Sequence, residues 1–99
     1  MTVNEIKNEG EIVLEVEGRV DTTTAPELQQ DILVAFQKEK NIVLNFEKVE
    51  YISSAGLRAL LIGEKTAKSK GGSMVITGAN EAVMKVFQVT RFDNVLTLK

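Results

Sequence analysis

The chain contains no cysteine, no histidine and no tryptophan, and a single proline. Without cysteine there is neither a disulfide nor a thiolate nucleophile. Without histidine there is no imidazole base, so a Ser–His–Asp triad is impossible, and the usual zinc ligands are missing together. Gly-x-Ser-x-Gly, P-loop and dinucleotide fingerprints are absent as well. Gly71, Gly72 and Gly78 are too scattered to cradle a phosphate. A Ser–Lys pair would need a buried lysine of depressed pKa, whereas Lys65, Lys68 and Lys70 fall on the polar face and last turn of a helix. The expectation is a protein that is not an enzyme and uses no cofactor and no metal. No apolar run approaches the ~18 residues of a membrane span, and Met1-Thr2-Val3-Asn4-Glu5 is not a signal peptide. A cytoplasmic location with no membrane partner is expected. Charge of one sign is also lacking: 12 basic residues against 14 acidic give a net charge of −2, which argues against a general nucleic-acid binder.

What is present is an ordinary globular composition. At 99 residues and 43% apolar content, one domain over residues 1–99 is expected. A domain of this size buries roughly two-thirds of the surface its unfolded chain exposes. Val3 to Ile6 reads as a weak first strand, and Asn8-Glu9-Gly10 as a turn into a stronger one at Ile12-Val13-Leu14 and Val16. Thr24 and Glu27 form a capping-box pattern, with Pro26 tolerated in the first turn. The helix that follows carries Leu28, Ile32, Ala35 and Phe36 on one face. Asn41 to Phe46, β-branched and nearly continuously apolar, predicts a strand covered on both faces.

A second helix is predicted from Ser54 to about Lys70, with Leu57, Leu60 and Leu61 at helical spacing. A Glu64–Lys68 pair supports it, and Gly71-Gly72 stops it. Met74-Val75-Ile76 predicts a fourth strand. Asn80 is placed to cap a third helix bearing Val83, Val86 and Phe87. Val95 to Leu98 closes as a fifth strand. The order is β-β-α-β-α-β-α-β: an α/β domain with a mixed, mostly parallel sheet and helices largely packed on one side. No repeat, low-complexity tract or linker interrupts it.

The most informative stretch is Tyr51-Ile52-Ser53-Ser54-Ala55-Gly56-Leu57-Arg58, where the third strand gives way to the second helix. Backbone N–H groups in a first helical turn lack partners, and the helix dipole favours negative charge there. Two readings attach to the serines. One is a plain N-cap, a side-chain oxygen accepting an N–H of the first turn. The other is a phosphorylation site, because a phosphate added there is locally tolerated while it changes what the surface presents. If Ser53 is the cap, its side chain turns inward and Ser54 faces out. Gly56 also reads two ways, as a tight packing position or as a gap through which a partner backbone approaches the serine.

The layout and two segments resemble the STAS domain, the fold of bacterial anti-sigma factor antagonists, over essentially the whole chain. Gly18-Arg19-Val20-Asp21-Thr22-Thr23-Thr24-Ala25 is similar to the family's Gly-x-hydrophobic-Asp loop before the first helix. Tyr51-Ile52-Ser53-Ser54-Ala55-Gly56-Leu57 is similar to its phosphorylation motif Asp-Ser-(Ser/Thr)-Gly-Leu. Aligned on Gly56-Leu57, Ser53 stands where the motif often has aspartate, Ser54 at the first hydroxyl position and Ala55 at the second. The resemblance therefore implies Ser54 as acceptor, with Ser53 the fallback. Arg58 adds a positive charge where a small residue is common.

The resemblance implies partner switching. The unphosphorylated domain binds an anti-sigma factor that is also a serine kinase and so frees a sigma factor for transcription. Phosphorylation releases the domain until a serine phosphatase resets it. It places Asp21, Thr22, Thr23, Ser53, Ala55, Gly56 and Arg58 on the partner surface. Oligomeric state is not legible in the residues, and a monomer when free is the default expectation. Asp21 is otherwise an ordinary turn aspartate, and the threonines ordinary caps and loop residues. The alternative role is a STAS-type docking subunit of a transport or stress-signalling assembly, without a phosphoswitch. The chain stops at Leu98-Lys99, before the tail helix common in the family, which implies a minimal variant.

Overall fold

Gly10, at φ +80°, takes the left-handed backbone that closes the turn between β1 (Thr2–Asn8) and β2 (Glu11–Val20). This is the expected hairpin, its strands antiparallel from Thr2 opposite Glu17 to Asn8 opposite Glu11. The rest of the chain, in a computed structural model describing residues 1–99, runs α1 (Ala25–Lys38), β3 (Asn41–Ile52), α2 (Ser54–Ser69), β4 (Ser73–Thr77), α3 (Glu81–Val89) and β5 (Thr97–Leu98). The sheet order is β1-β2-β3-β4-β5. Every pairing after the first is parallel. The fold is thus the α/β arrangement expected, with five strands and three helices.

The buried face of the sheet is built by alternation. Ile12, Leu14 and Val16 of β2, Ile42, Leu44 and Phe46 of β3, and Met74 and Ile76 of β4 are all buried. They meet Leu28, Ile32, Ala35 and Phe36 of α1, Leu57 and Leu60 of α2, and Val83 and Phe87 of α3 in one cluster. The residues between them point the other way. Val13, Val43 and Val75 lie side by side across the sheet and are only half-buried. The third strand is therefore not covered on both faces, and the near-continuous apolar run overstated its burial.

Three further expectations are corrected. β3 extends through Ile52, well beyond Phe46. It gains one residue on β2 between Asn45 and Lys48 and a second between Val49 and Tyr51. These irregularities break the period-2 pattern while keeping Val49 and Ile52 inward. Glu64 and Lys68 form no pair: Glu64 lies on the inward face of α2, its Oε2 buried without a hydrogen-bond partner, while Lys68 stays exposed. The fifth strand shrinks to Thr97–Leu98, because the Val95 and Leu96 N–H groups both turn back to the Phe92 carbonyl, at 2.9 and 2.8 Å, after the 3-10 turn at Phe92–Asn94. The stop after α2 forms as expected: Gly71 sits at φ +68° and the Gly72 N–H reaches the Ala67 carbonyl at 2.9 Å. No helix is long and apolar enough to cross a membrane.

Candidate functional site at two helix starts

Parallel strands β2 and β3 finish side by side, with Val20 opposite Ile52. The helices that follow them therefore begin next to each other. The Ser53 N–H donates to the Val20 carbonyl at 2.8 Å, tying the serine loop to the loop that starts at Asp21. The two segments singled out in the sequence, 33 residues apart at Asp21 and Ser54, become one surface.

On the α1 side, Asp21 organises the turn. Its Oδ1 accepts from the Thr23 N–H at 3.0 Å, the Thr23 hydroxyl at 2.8 Å and the Thr24 N–H at 3.1 Å. The Thr23 hydroxyl and the Thr24 N–H, with smaller help from the Thr23 N–H, hold the Asp21 carboxyl below its ordinary range. The capping box predicted at Thr24 and Glu27 does not form. The Thr24 hydroxyl accepts the Asp21 N–H at 2.9 Å and lies 2.8 Å from the Arg19 carbonyl, to which it donates; the helix start has no side-chain cap from it. The physical reason is that Thr24 already has helical backbone (φ −99°, ψ −21°), unlike the extended backbone of a capping residue. Its hydroxyl is taken up by the Asp21–Arg19 loop, while the Glu27 N–H goes to the Thr24 carbonyl. Thr22 and Thr23 are exposed and Asp21 is half-buried.

On the α2 side, Ser53 is the N-cap, with extended backbone and Oγ accepting the Gly56 N–H at 3.2 Å. Ser54, the first helical residue, is exposed, as is Arg58 one turn on. Ala55 is half-buried and packs against the core cluster. Gly56 is buried, and a Cβ built on it would stand 2.6 Å from Ile52 Cγ1 and 2.9 Å from Val20 Cγ1. Of its two readings, close packing is the one the geometry supports. Its missing side chain faces inward between the two strand ends, not toward a partner, and this corrects the placement of Gly56 on the partner surface.

The sequence reading missed a third component. The Arg19 guanidinium lies over the Tyr51 ring, 4.5 Å from its centroid, with Arg19 opposite Tyr51 in the sheet. Both are exposed, so this cation–π pair forms a rim beside the serine loop. Only the register across both irregularities of β3 reveals it. Elsewhere, a polar cleft of about 260 Å³ lined by Asn4, Glu15, Asn45, Glu47 and Lys48 among others takes no residue from the serine loop.

The STAS domain model matches residues 2–99. BtrV of Bordetella bronchiseptica, described as a candidate anti-sigma factor antagonist, is 30% identical over 87% of this chain and 75% of its own length. The crystal structure of a candidate anti-sigma factor antagonist from Thermotoga maritima superposes with a TM-score of 0.90 at 20% identity, covering 97% of this chain and 84% of that one. The Bacillus cell fate determinant SpoIIAA in its phosphorylated form gives a TM-score of 0.75 at 17% identity, covering 99% of this chain and 91% of that one.

Proposed function

The chain belongs to the STAS domain family, the family of anti-sigma factor antagonists, and we propose that phosphorylation of Ser54 switches its binding to an anti-sigma factor serine kinase. The observation that carries this reading is the division of labour between the serines. The Ser53 hydroxyl is committed to the Gly56 N–H, while Ser54 is exposed with no hydrogen bond from its side chain to another residue. A kinase can reach the Ser54 Oγ without undoing the helix cap. Phosphoryl transfer from ATP to that oxygen releases ADP and the hydroxyl proton. A phosphorylated form of SpoIIAA, a protein of the same fold, supports the idea that this architecture accommodates the modification.

Partner contact extends from Ser54 over the exposed Thr22 and Thr23 and the half-buried Asp21 and Ala55, with Arg58 and the Arg19–Tyr51 pair at the rim. A phosphate brings roughly −1.5 to −2 charges at neutral pH. Burying that charge in the complex costs about 3–4 kcal/mol unless the partner supplies a cation, which lowers affinity by about 200- to 1,000-fold. Because Ser54 is on the surface, no change of fold is required. A serine phosphatase would restore the binding form.

Intact-mass and site-mapping spectrometry after incubation with ATP and the kinase encoded nearest the gene tests this. One phosphate on Ser54, absent in Ser54→Ala and accompanied by weaker kinase binding, is expected. Phosphate on Ser53 would keep the switch and move its site. A kinase that is active, binds the chain and leaves both serines unmodified would overturn the phosphoswitch in favour of a docking subunit.

A further inference from the structure

Arg58 lies one helical turn beyond Ser54, four residues on along α2, and both are exposed. Residues at this spacing are neighbours on a helix surface. Each Cα–Cβ bond tilts toward the helix N-terminus, so a long side chain covers the turn preceding its own Cα. An Arg58 side chain that follows this tilt has Ser54 within its reach. Leu57, the i+3 neighbour of Ser54, is buried, which leaves Arg58 as the exposed side chain one turn on.

Arg58 is also uncommitted. The chain's one ion pair joins Lys38 to Glu5 at 3.1 Å, and the first turn of α2 carries no acid. The acid of the adjoining loop, Asp21, accepts from Thr23 and Thr24 on its Oδ1 and forms no ion pair with Arg58. The other arginine at this edge, Arg19, is stacked on Tyr51.

We infer that Arg58 is the built-in counter-ion of the modified site: once Ser54 carries a phosphate, the Arg58 guanidinium turns onto it within the same helix. The inference rests on the Ser54 reading for its biological use. A guanidinium matches phosphate oxygens in a charge-assisted, two-pronged geometry that lysine does not offer. The modification then changes the surface twice, adding the phosphate and withdrawing a free cation from the face that meets the kinase. A partner acid that pairs with Arg58 in the unmodified complex would lose its partner in the modified one.

The test is separable from the kinase. The full chain is made with Ser54 already phosphorylated, by co-translational insertion of the modified amino acid, and its phosphorus NMR signal is followed through a pH titration. The ordinary second pKa of the phosphate is about 6. Its midpoint should rise by about 0.4 pH unit on Arg58→Ala, rise less on Arg58→Lys, and stay unchanged on Arg19→Ala. The difference should shrink in 1 M salt. An unchanged midpoint in Arg58→Ala, or an equal shift from Arg19→Ala, would overturn the inference, the latter by exposing a general field effect. If no kinase modifies Ser54 yet the shift appears, the pairing holds and the switch reading alone fails.

Discussion

The starts of α1 and α2 sit side by side at the same end of the sheet, where β2 and β3 finish, and solve the same problem in opposite ways. The α1 start carries its own anion: Asp21 gathers two backbone N–H groups and a hydroxyl on one carboxylate oxygen, and Glu27 adds an acid in the first turn. The α2 start has one neutral cap, Ser53, and no acid in its first turn. Unsatisfied N–H groups and the dipole make any helix start favourable to negative charge. At α1 that preference is already met by the side chains. At α2 it is left open, with an exposed hydroxyl at the first position and an arginine one turn on. The difference teaches where a charge can be added without rebuilding anything, and it is on the second helix.

The largest expected effect comes from wedging the α2 start away from the strands. Gly56→Val places side-chain atoms where a Cβ alone already comes within 3 Å of Ile52 and Val20. Overpacking of this kind should cost about 2–3 kcal/mol, only slightly offset by the gain in helix propensity over glycine. The urea unfolding midpoint measures it. An unchanged midpoint would mean that the α2 start is not packed tightly against the strand ends.

Removing the neutral cap is smaller. Ser53→Ala should cost about 1 kcal/mol, whereas Ser54→Ala should stay within about 0.5 kcal/mol of the parent protein. If the two costs came out reversed, the cap and the exposed hydroxyl would have to exchange places, and the proposed phosphorylation site with them.

Much of this was legible in the sequence. The element order, the apolar faces of α1 and α3, and the Asn80 cap, whose Oδ1 takes the Val83 N–H at 2.8 Å, follow from local periodicity and turn chemistry. So does the division between Ser53 and Ser54, because an N-cap needs only its own first turn. What was not legible depends on the neighbouring strand. The second half of β3 reads as polar, since Glu47, Lys48 and Glu50 interrupt it, and only pairing with β2 shows that Val49 and Ile52 still face inward. The Arg19–Tyr51 stack depends on that same shifted register. Thr24 with Glu27 matched a capping box, yet Asp21 three residues earlier takes the Thr24 N–H and gives its own N–H to the Thr24 hydroxyl, and the motif says nothing of what lies upstream. The inward direction of Gly56 needed the positions of Val20 and Ile52.

The smallest effects separate two aspartates around α1 by pH. Asp21 has a depressed folded pKa, so its contribution is present above the ordinary value of 3.8 and is lost as pH falls through the lower folded value. Asp31, half-buried on α1, is pushed the other way, first by burial and then by the charges of Glu27 and Glu5. Its ionised form works against the fold above its raised pKa, and that cost disappears as the group protonates on the way down toward 3.8. Acidification should therefore relieve Asp31 before it undoes Asp21. Asp31→Asn should raise stability at neutral pH by about 0.3 kcal/mol, the size of one like-charge i, i+4 pair, and the gain should vanish by about pH 3. Asp21→Asn, which keeps an acceptor oxygen but no charge, should lack the parent protein's loss of stability below pH 3.8. Urea midpoints of the three proteins at neutral and acid pH measure both. An Asp31→Asn advantage that persisted at low pH would mean that shape at this half-buried site, not charge, sets the difference.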